Sequence, residues 1–499
     1  MKQCLITSLI WTLLTLTACN GQPAQTEADP PGAGIEPVET WDYRSVLDSA
    51  LFPLIDTAHL KIVHPEKLLP FFNKLRQLEH DSLEKVRIVQ IGDSHLQAGF
   101  QTRQTRYFLQ KSFGAGGRGI IFPYRVAGTN SPSDIYSYSN VSWESKRNVF
   151  PQKPMDIGLS GITIGTDSDD FLLEMGVTCN DTLDNAFHRL LLFHKTDQPS
   201  CRFACLQSKD PKAVEASRDE IRDYYHRIRP GESLWSIART LGVSVNQLKS
   251  WNGLRSNLIH PNGRLKYRKK VRSAIPLDPA MLDTINTISY QRDPRGFDEF
   301  LFEDPQDTVL IGFRGNERIE LNGMYVENNK RGIVYSMIGV NGAKYEHYNK
   351  SANFFDQLAA LENDLIIVSL GTNESLADNY TPELIRKQMG MFYQRIRELN
   401  PGAQILVCTN PNTYSWRRKN PRSAEMNQAI IAFCEEEDLP YWDMYHLMGG
   451  SDGIYRWHKA DLAQRDLIHF SAEGYRKMGA LLYYSIMQAY HDAQRNATD

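Results

Sequence analysis

Long apolar runs, cysteine and net charge are all scarce in this chain of 499 residues. Past the first twenty residues no stretch is both apolar and long enough to span a bilayer, so the bulk of the chain is expected to be soluble. A formal charge of −3 leaves no excess of cations to neutralise phosphates, and no basic patch interleaved with aromatics is present. Both observations argue against a nucleic-acid partner. Beyond the amino-terminal segment the cysteines are Cys179, Cys201, Cys205, Cys408 and Cys434. An odd number of thiols permits at most two bridges. Cys201 and Cys205 are near enough to pair, but Cys-x3-Cys without nearby histidines is a poor zinc site. Cys408 and Cys434 sit in apolar surroundings and are expected in a core.

The length fits two to three domains. Met1-Lys2-Gln3-Cys4 followed by the apolar Leu5 to Leu16 reads as a secretory leader, too short to cross a membrane. It ends in Leu16-Thr17-Ala18-Cys19, which resembles a bacterial lipobox. The resemblance implies cleavage over residues 1–19, lipidation of Cys19 and a membrane anchor. Asn20 in place of aspartate after Cys19 favours the outer membrane under the same rule. Residues 20–45, rich in proline and glycine, then read as a flexible tether. From Leu51 to Leu83 the spacing predicts helix, with Leu68, Leu69, Phe72 and Leu75 forming one apolar stripe.

Val86 to Ile91 is a β-branched run that ends in Gly92-Asp93-Ser94-His95. A strand running into a small turn places Ser94 at the carboxyl end of a strand, where open α/β sheets build their sites. Gln101 to Phe113 predicts a helix. Gly114-Ala115-Gly116-Gly117-Arg118-Gly119 has the letters of a dinucleotide fingerprint, but it follows a helix instead of opening one. It therefore predicts a glycine cap and turn. From about 125 to 221, and again over 269–331, short alternating runs such as Ile162-Thr163-Ile164 and Ile319 to Glu327 predict a β-sandwich. After residue 332 strands and helices alternate, as in a helix-covered parallel sheet. Candidate strands end at Gly339, near Gly371-Thr372-Asn373, and after Gln404 to Cys408.

Residues 222–268 have a character of their own. Gly231-Glu232-Ser233-Leu234 and Asn252-Gly253-Leu254 resemble the helix start and the closing turn of a LysM domain. Ser233 is expected to cap a helix whose Leu234, Ile237 and Ala238 face inward. The resemblance implies a βααβ fold that binds N-acetylglucosamine-containing glycans, chiefly peptidoglycan. The matching contact positions are Arg229, Pro230, Gly231, Glu232 and Ser233, with Leu258, Ile259, His260, Pro261 and Asn262. Lys266 to Arg272 reads as a solvated basic linker.

Gly92-Asp93-Ser94, Gly342, Gly371-Thr372-Asn373 and Asp466-Leu467-Ile468-His469 occur in that order. Together they resemble the four blocks of the SGNH (GDSL-type) hydrolases, over segments 46–124 and 332–499. A free serine hydroxyl is a weak nucleophile near neutrality and needs a base. The resemblance assigns His469 as that base, with Asp466 fixing its tautomer. It places Ser94, Gly342 and Asn373 in the oxyanion hole. Gly339 competes with Gly342, Asp452 and Asp461 with the acid, and His458 with the base. His95 reads as a structural or substrate-side group. The implied fold is a flavodoxin-like parallel sheet with an inserted β-sandwich.

Gly-Asp-Ser-His with a β-rich insertion further resembles the peptidoglycan O-acetylesterases, whose inserted sandwich is thought to bind glycan. The expectation is an envelope lipoprotein that removes acetyl groups from peptidoglycan, at the C6 hydroxyl of N-acetylmuramic acid. It calls for no cofactor and no metal. The same acyl-enzyme suits an O-acetyltransferase or an esterase of another acetylated polysaccharide. A LysM cell-wall-binding lipoprotein with an inert hydrolase is a third reading. Nothing in the sequence sets the oligomeric state.

Overall fold

The computed structural model describes residues 41–496 apart from 81, 151–154, 169, 180–183, 196–202, 209–218, 242, 273–281, 286 and 315–316. The expected leader, Cys19, most of the tether and Cys201 lie outside the described residues. Strands β1 (Lys85–Gly92), β2 (Gly332–Gly339), β3 (Leu365–Ser369), β4 (Gln404–Cys408) and β5 (Tyr441–Trp442) form a parallel sheet in the order β2-β1-β3-β4-β5. A short strand, Ala115–Gly117, extends it beyond β2. This is the flavodoxin-like order, and its direction reverses at β1.

Helices cover both faces, which is why β1 and β2 are apolar along most of their length and β2 is buried throughout. The helices Leu69–Glu79, Phe100–Phe113 and Ala472–Asn496 pack together, as do Pro382–Leu399 and Pro421–Glu436. No helix among the described residues is long and apolar enough to cross a membrane.

From the edge strand the chain passes directly into Gly119–Ile121, which pairs with Ile319–Glu327 in an antiparallel sheet. That seven-stranded sheet and a five-stranded one make the sandwich. Its apolar face is continuous with the parallel sheet, since Val89 and Ile91 of β1 share a core with Leu191, Met324 and Val326. The two sheets are therefore fused. Gln357 adds a polar seam, accepting from Leu159 N at 2.8 Å and donating to His194 O at 3.0 Å.

The strands Asp219–Arg227 and Arg264–Arg272 pair antiparallel and frame the helices Leu234–Leu241 and Val245–Asn252. This βααβ unit interrupts a hairpin of the five-stranded sheet, between Ala204–Ser208 and Leu282–Thr284. It has its own core of Ile228, Leu234, Ile237, Ala238, Leu248 and Leu265. Ser233 Oγ accepts from Ser236 N at 3.1 Å, the expected cap. Asn252 accepts from Lys266 N at 2.7 Å and donates to Lys266 O, so it braces the second strand.

Four expectations are corrected. Among the described residues of the first segment only Leu69–Glu79 is α-helix; Ser49–Leu51, Thr57–His59 and Pro65–Leu68 are 3-10 turns. Pro53 and Pro65 remove the amide donors that a continuous helix needs. Within the stripe, Leu69 faces solvent and Phe71 and Leu78 are buried instead. Beyond Gly114, which does cap a helix, the glycine-rich run forms two short strands and not a turn. Lys266 to Arg272 is a paired strand, not a linker. Cys408 and Cys434 are buried free thiols, as their surroundings suggest, and Cys205 is a third.

Candidate active site

β1 delivers Ser94 at the point where strand order reverses. Gly92 ends the strand, and a Cβ there would stand 2.7 Å from Ser369 O and from Leu96. Only glycine lets the turn close over β3. Asp93 then caps the short helix Ser94–Gln97, its Oδ1 accepting from His95 N at 2.9 Å. Burial raises the Asp93 carboxyl to about 6, against the opposing hydrogen bond from His95 N.

His469 arrives from the loop before the last helix. Its Nε2 lies 3.0 Å from Ser94 Oγ, and its Nδ1 lies 2.8 Å from Asp466 Oδ2. Asp466 Oδ1 accepts from Ile468 N at 2.9 Å and His469 N at 3.0 Å, which fixes the turn. Leu467 adopts a left-handed conformation (φ 57°), and its carbonyl accepts from Tyr414 N at 2.9 Å. Burial would raise the Asp466 carboxyl, but the hydrogen bonds from His469 and the two backbone amides hold it down to about 2. The same hydrogen bond raises His469 above its ordinary value, with Asp466 and Asp93 charges adding to it against burial. A neutral imidazole with that tautomer can take a proton from Ser94, and the pair stabilises the imidazolium that results.

Gly342 stands between two braces. Asn341 N donates to Gln97 Oε1 at 2.7 Å, tying the loop after β2 to the helix that begins at Ser94. Ala343 O accepts from Asn373 Nδ2 at 3.0 Å. Gly342 itself is left-handed (φ 84°), and a Cβ there would meet only Val149, at 3.9 Å. Gly339, the competitor, pairs with Gly92 in the sheet. A Cβ on it would lie 2.6 Å from Gln97 N, so it serves the packing of the Ser94 helix.

Asn373 follows Gly371 (φ 117°) at the end of β3, and its amide also donates to Asp93 Oδ2 at 3.2 Å. Glu374, fully buried, accepts from Tyr345 N at 2.9 Å and Gly371 N at 3.1 Å. It joins the two loops that carry Gly342 and Asn373, and burial raises its carboxyl to about 7.

Other candidates stand apart. Asp452 pairs with Lys419, and His458 Nδ1 meets Ala463 O at 2.9 Å. Asp461 is left-handed (φ 58°) and has no bond to His469. His95 is buried with its ring 5.3 Å from that of His469 and its Nδ1 3.1 Å from Tyr475 OH. Burial, with His469 adding, lowers it to about 3, so it is neutral and no base for Ser94. In the βααβ unit, Asn262 N donates to Ile228 O at 2.8 Å. That bond sets the loop Arg229–Ser233 beside Leu258–Asn262, and both are largely exposed.

Sequence reasoning missed Glu374, Gln97 and the burial of Asp93. A charged residue directly after Asn373 was the one available signal for Glu374. It also missed Asp443-Met444-Tyr445-His446, where His446 Nδ1 lies 2.6 Å from Asp443 Oδ2 and His446 N donates to Asp443 Oδ1 at 3.2 Å. This repeats two of the bonds between Asp466 and His469, from the ring Nδ1 and from the histidine N–H, but His59 and not a serine stands beside it.

These features define a serine acylhydrolase architecture on a doubly wound sheet. Residues 317–477 match the GDSL-like Lipase/Acylhydrolase family model, and residues 226–266 match the LysM domain model. The first match takes in Gly342, Asn373, Asp466 and His469; Ser94 lies before it, across the sandwich. The chain thus carries a GDSL-like acylhydrolase domain and a LysM domain. Over 41 residues it is 61% identical to N-acetylmuramoyl-L-alanine amidase sle1 of Staphylococcus haemolyticus, covering 8% of this chain and 12% of that protein. With the same-named amidase of Staphylococcus aureus the identity is 54% over 41 residues, with 8% and 12% covered. The chain therefore spans about an eighth of the length of these relatives. A solved structure of a peptidoglycan O-acetylesterase aligns with a TM-score of 0.57 at 22% identity, covering 85% of this chain and 96% of that one. The two share a fold.

Proposed function

We propose that this protein is a serine esterase of the bacterial cell envelope that removes O-acetyl groups from peptidoglycan, with the C6 acetyl of N-acetylmuramic acid as its substrate. The reading rests on one observation above all: the unbroken Ser94–His469–Asp466 chain of 3.0 and 2.8 Å contacts at the carboxyl end of β1. Ser94 Oγ attacks the acetyl carbonyl as His469 Nε2 takes its proton. The imidazolium then protonates the departing sugar oxygen. Water, deprotonated by His469, cleaves the acetyl-enzyme to acetate. The N–H groups of Ser94 and Gly342 and the Asn373 amide receive the oxyanion. Asn373 holds both of its amide hydrogens on Asp93 and Ala343 O, so it is oriented before substrate arrives and shares one with the developing charge.

The LysM unit holds the enzyme on its polymer through the loops Arg229–Ser233 and Leu258–Asn262. The anchor is a lipid on Cys19, in the outer membrane. The half-exposed His469 and Asp466 side chains give water ready access to the acyl-enzyme, which favours hydrolysis over transfer to a sugar. Acetate released from O-acetylated peptidoglycan, measured against the de-O-acetylated polymer and against transfer to chitooligosaccharides, tests this reading. Acetate from the first alone supports it. Acetyl transfer in place of acetate makes the protein a transferase, and polymer binding without either product leaves the LysM unit as its function.

A further inference from the structure

We propose that His59, Asp443 and His446 bind a divalent transition-metal cation, zinc being the best match. Their candidate ligand atoms all lie within 4.8 Å of one another. His59 Nδ1 is 3.5 Å and His446 Nδ1 2.6 Å from Asp443 Oδ2. Zinc bonds of about 2.0–2.2 Å to nitrogen and oxygen put tetrahedral ligands roughly 3.3 Å apart. The first spacing already fits, and the second must open by less than about 1 Å. Both imidazoles are half-exposed and lie nearly parallel, 5.1 Å between centroids, so they can close on an ion and leave the fourth position to water.

The surrounding bonds are those of a ligand set. Asp443 is buried, and its Oδ1 is saturated by Asn427 Nδ2 at 3.1 Å, His446 N at 3.2 Å and Thr409 Oγ1 at 3.3 Å. This aims Oδ2 at both histidines. Behind His59, Asp56 Oδ2 lies 3.8 Å from Nε2, close enough to add a second negative charge beside the site. His–His–carboxylate donors suit zinc better than calcium or magnesium, which take oxygen.

Asp443 directly follows β5, three strands from β1, or about 14 Å away at the usual strand spacing. The site is therefore separate from Ser94. Its effect is to clamp the segment from Asp56 to Val63 onto the edge of the sheet. Asp56 N already donates to Leu447 O there at 2.8 Å, and Val63 bridges Tyr441.

The test is calorimetric titration of chelator-stripped full-length protein with zinc chloride, with cobalt(II) absorption as a report of ligand geometry. The expected result is one ion per chain, a raised Tm, and tetrahedral cobalt bands. His59→Ala and His446→Ala should each weaken binding at least tenfold, and Asp56→Asn less. His59→Ala should keep its esterase activity, which also shows that it folds. Zinc binding equal in the wild type and the His59→Ala/His446→Ala double variant overturns the proposal. So does binding that disappears with His469→Ala but survives His59→Ala, because the ion then sits at the serine site.

Discussion

Replacing Asp466 by asparagine should damage this enzyme more than replacing it by alanine. Asp466 Oδ1 accepts two backbone amides, from Ile468 and His469. An asparagine must keep its oxygen there, so its NH2 group takes the place of Oδ2 against His469 Nδ1. A donor facing Nδ1 forces the ring proton onto Nε2, where it blocks proton transfer from Ser94. A triad locked in the wrong tautomer loses on the order of 10⁴ in kcat. Alanine removes a charge-assisted hydrogen bond worth about 1.5–3 kcal/mol. With Asp466 and His469 both about a third or more exposed, solvent screening favours the low end, roughly a tenfold loss. In both variants the imidazolium loses the partner that raises its pKa. The acid limb of kcat/KM, where His469 must lose its proton, therefore moves to lower pH. A chromogenic acetate ester assayed across pH measures both effects. Asparagine and alanine variants of equal activity, or an unmoved acid limb, would refute the reasoning.

Four further outcomes follow from the packing. Asp134→Ala leaves the buried guanidiniums of Arg106 and Arg118 facing each other without their shared carboxylate, which should cost about 3–5 kcal/mol in urea unfolding. Glu374→Gln sets an amide donor against Tyr345 N or Gly371 N. It should lower stability by about 1–3 kcal/mol and reduce kcat while leaving KM for a small ester nearly unchanged. Gly339→Ala pushes on the backbone of the Ser94 helix and should abolish activity. Gly342→Ala has room and meets only left-handed strain of roughly 1–2 kcal/mol, so it should fold and retain a measurable rate.

The residues brought together here were legible where a short motif coincides with a strand end. Ser94 follows β1 and Asn373 follows β3, while Asp466 and His469 share one turn. The sandwich was legible as alternation, and the LysM unit as a contiguous module. What was not legible depends on which loops the sheet order makes neighbours. Asp443-x-x-His446 and Asp466-x-x-His469 have the same letters and share the ring and amide bonds of the histidine to the aspartate, and the path of the chain puts the second beside Ser94 and the first beside His59. Glu374 and Gln97 work by bridging loops distant in sequence, and Asp134 pairs with two arginines of the same kind of context. The misread helix at 51–68 has helical apolar spacing, but proline and the bridge of Val63 to Tyr441 override it.

Mass spectrometry of protein quenched during turnover of O-acetylated peptidoglycan tests the central claim most directly. The account predicts one acetyl group on the peptide that contains Ser94, and none in Ser94→Ala, which releases no acetate. Acetate release by Ser94→Ala at the wild-type rate, or an acetyl group on any other residue, would contradict it.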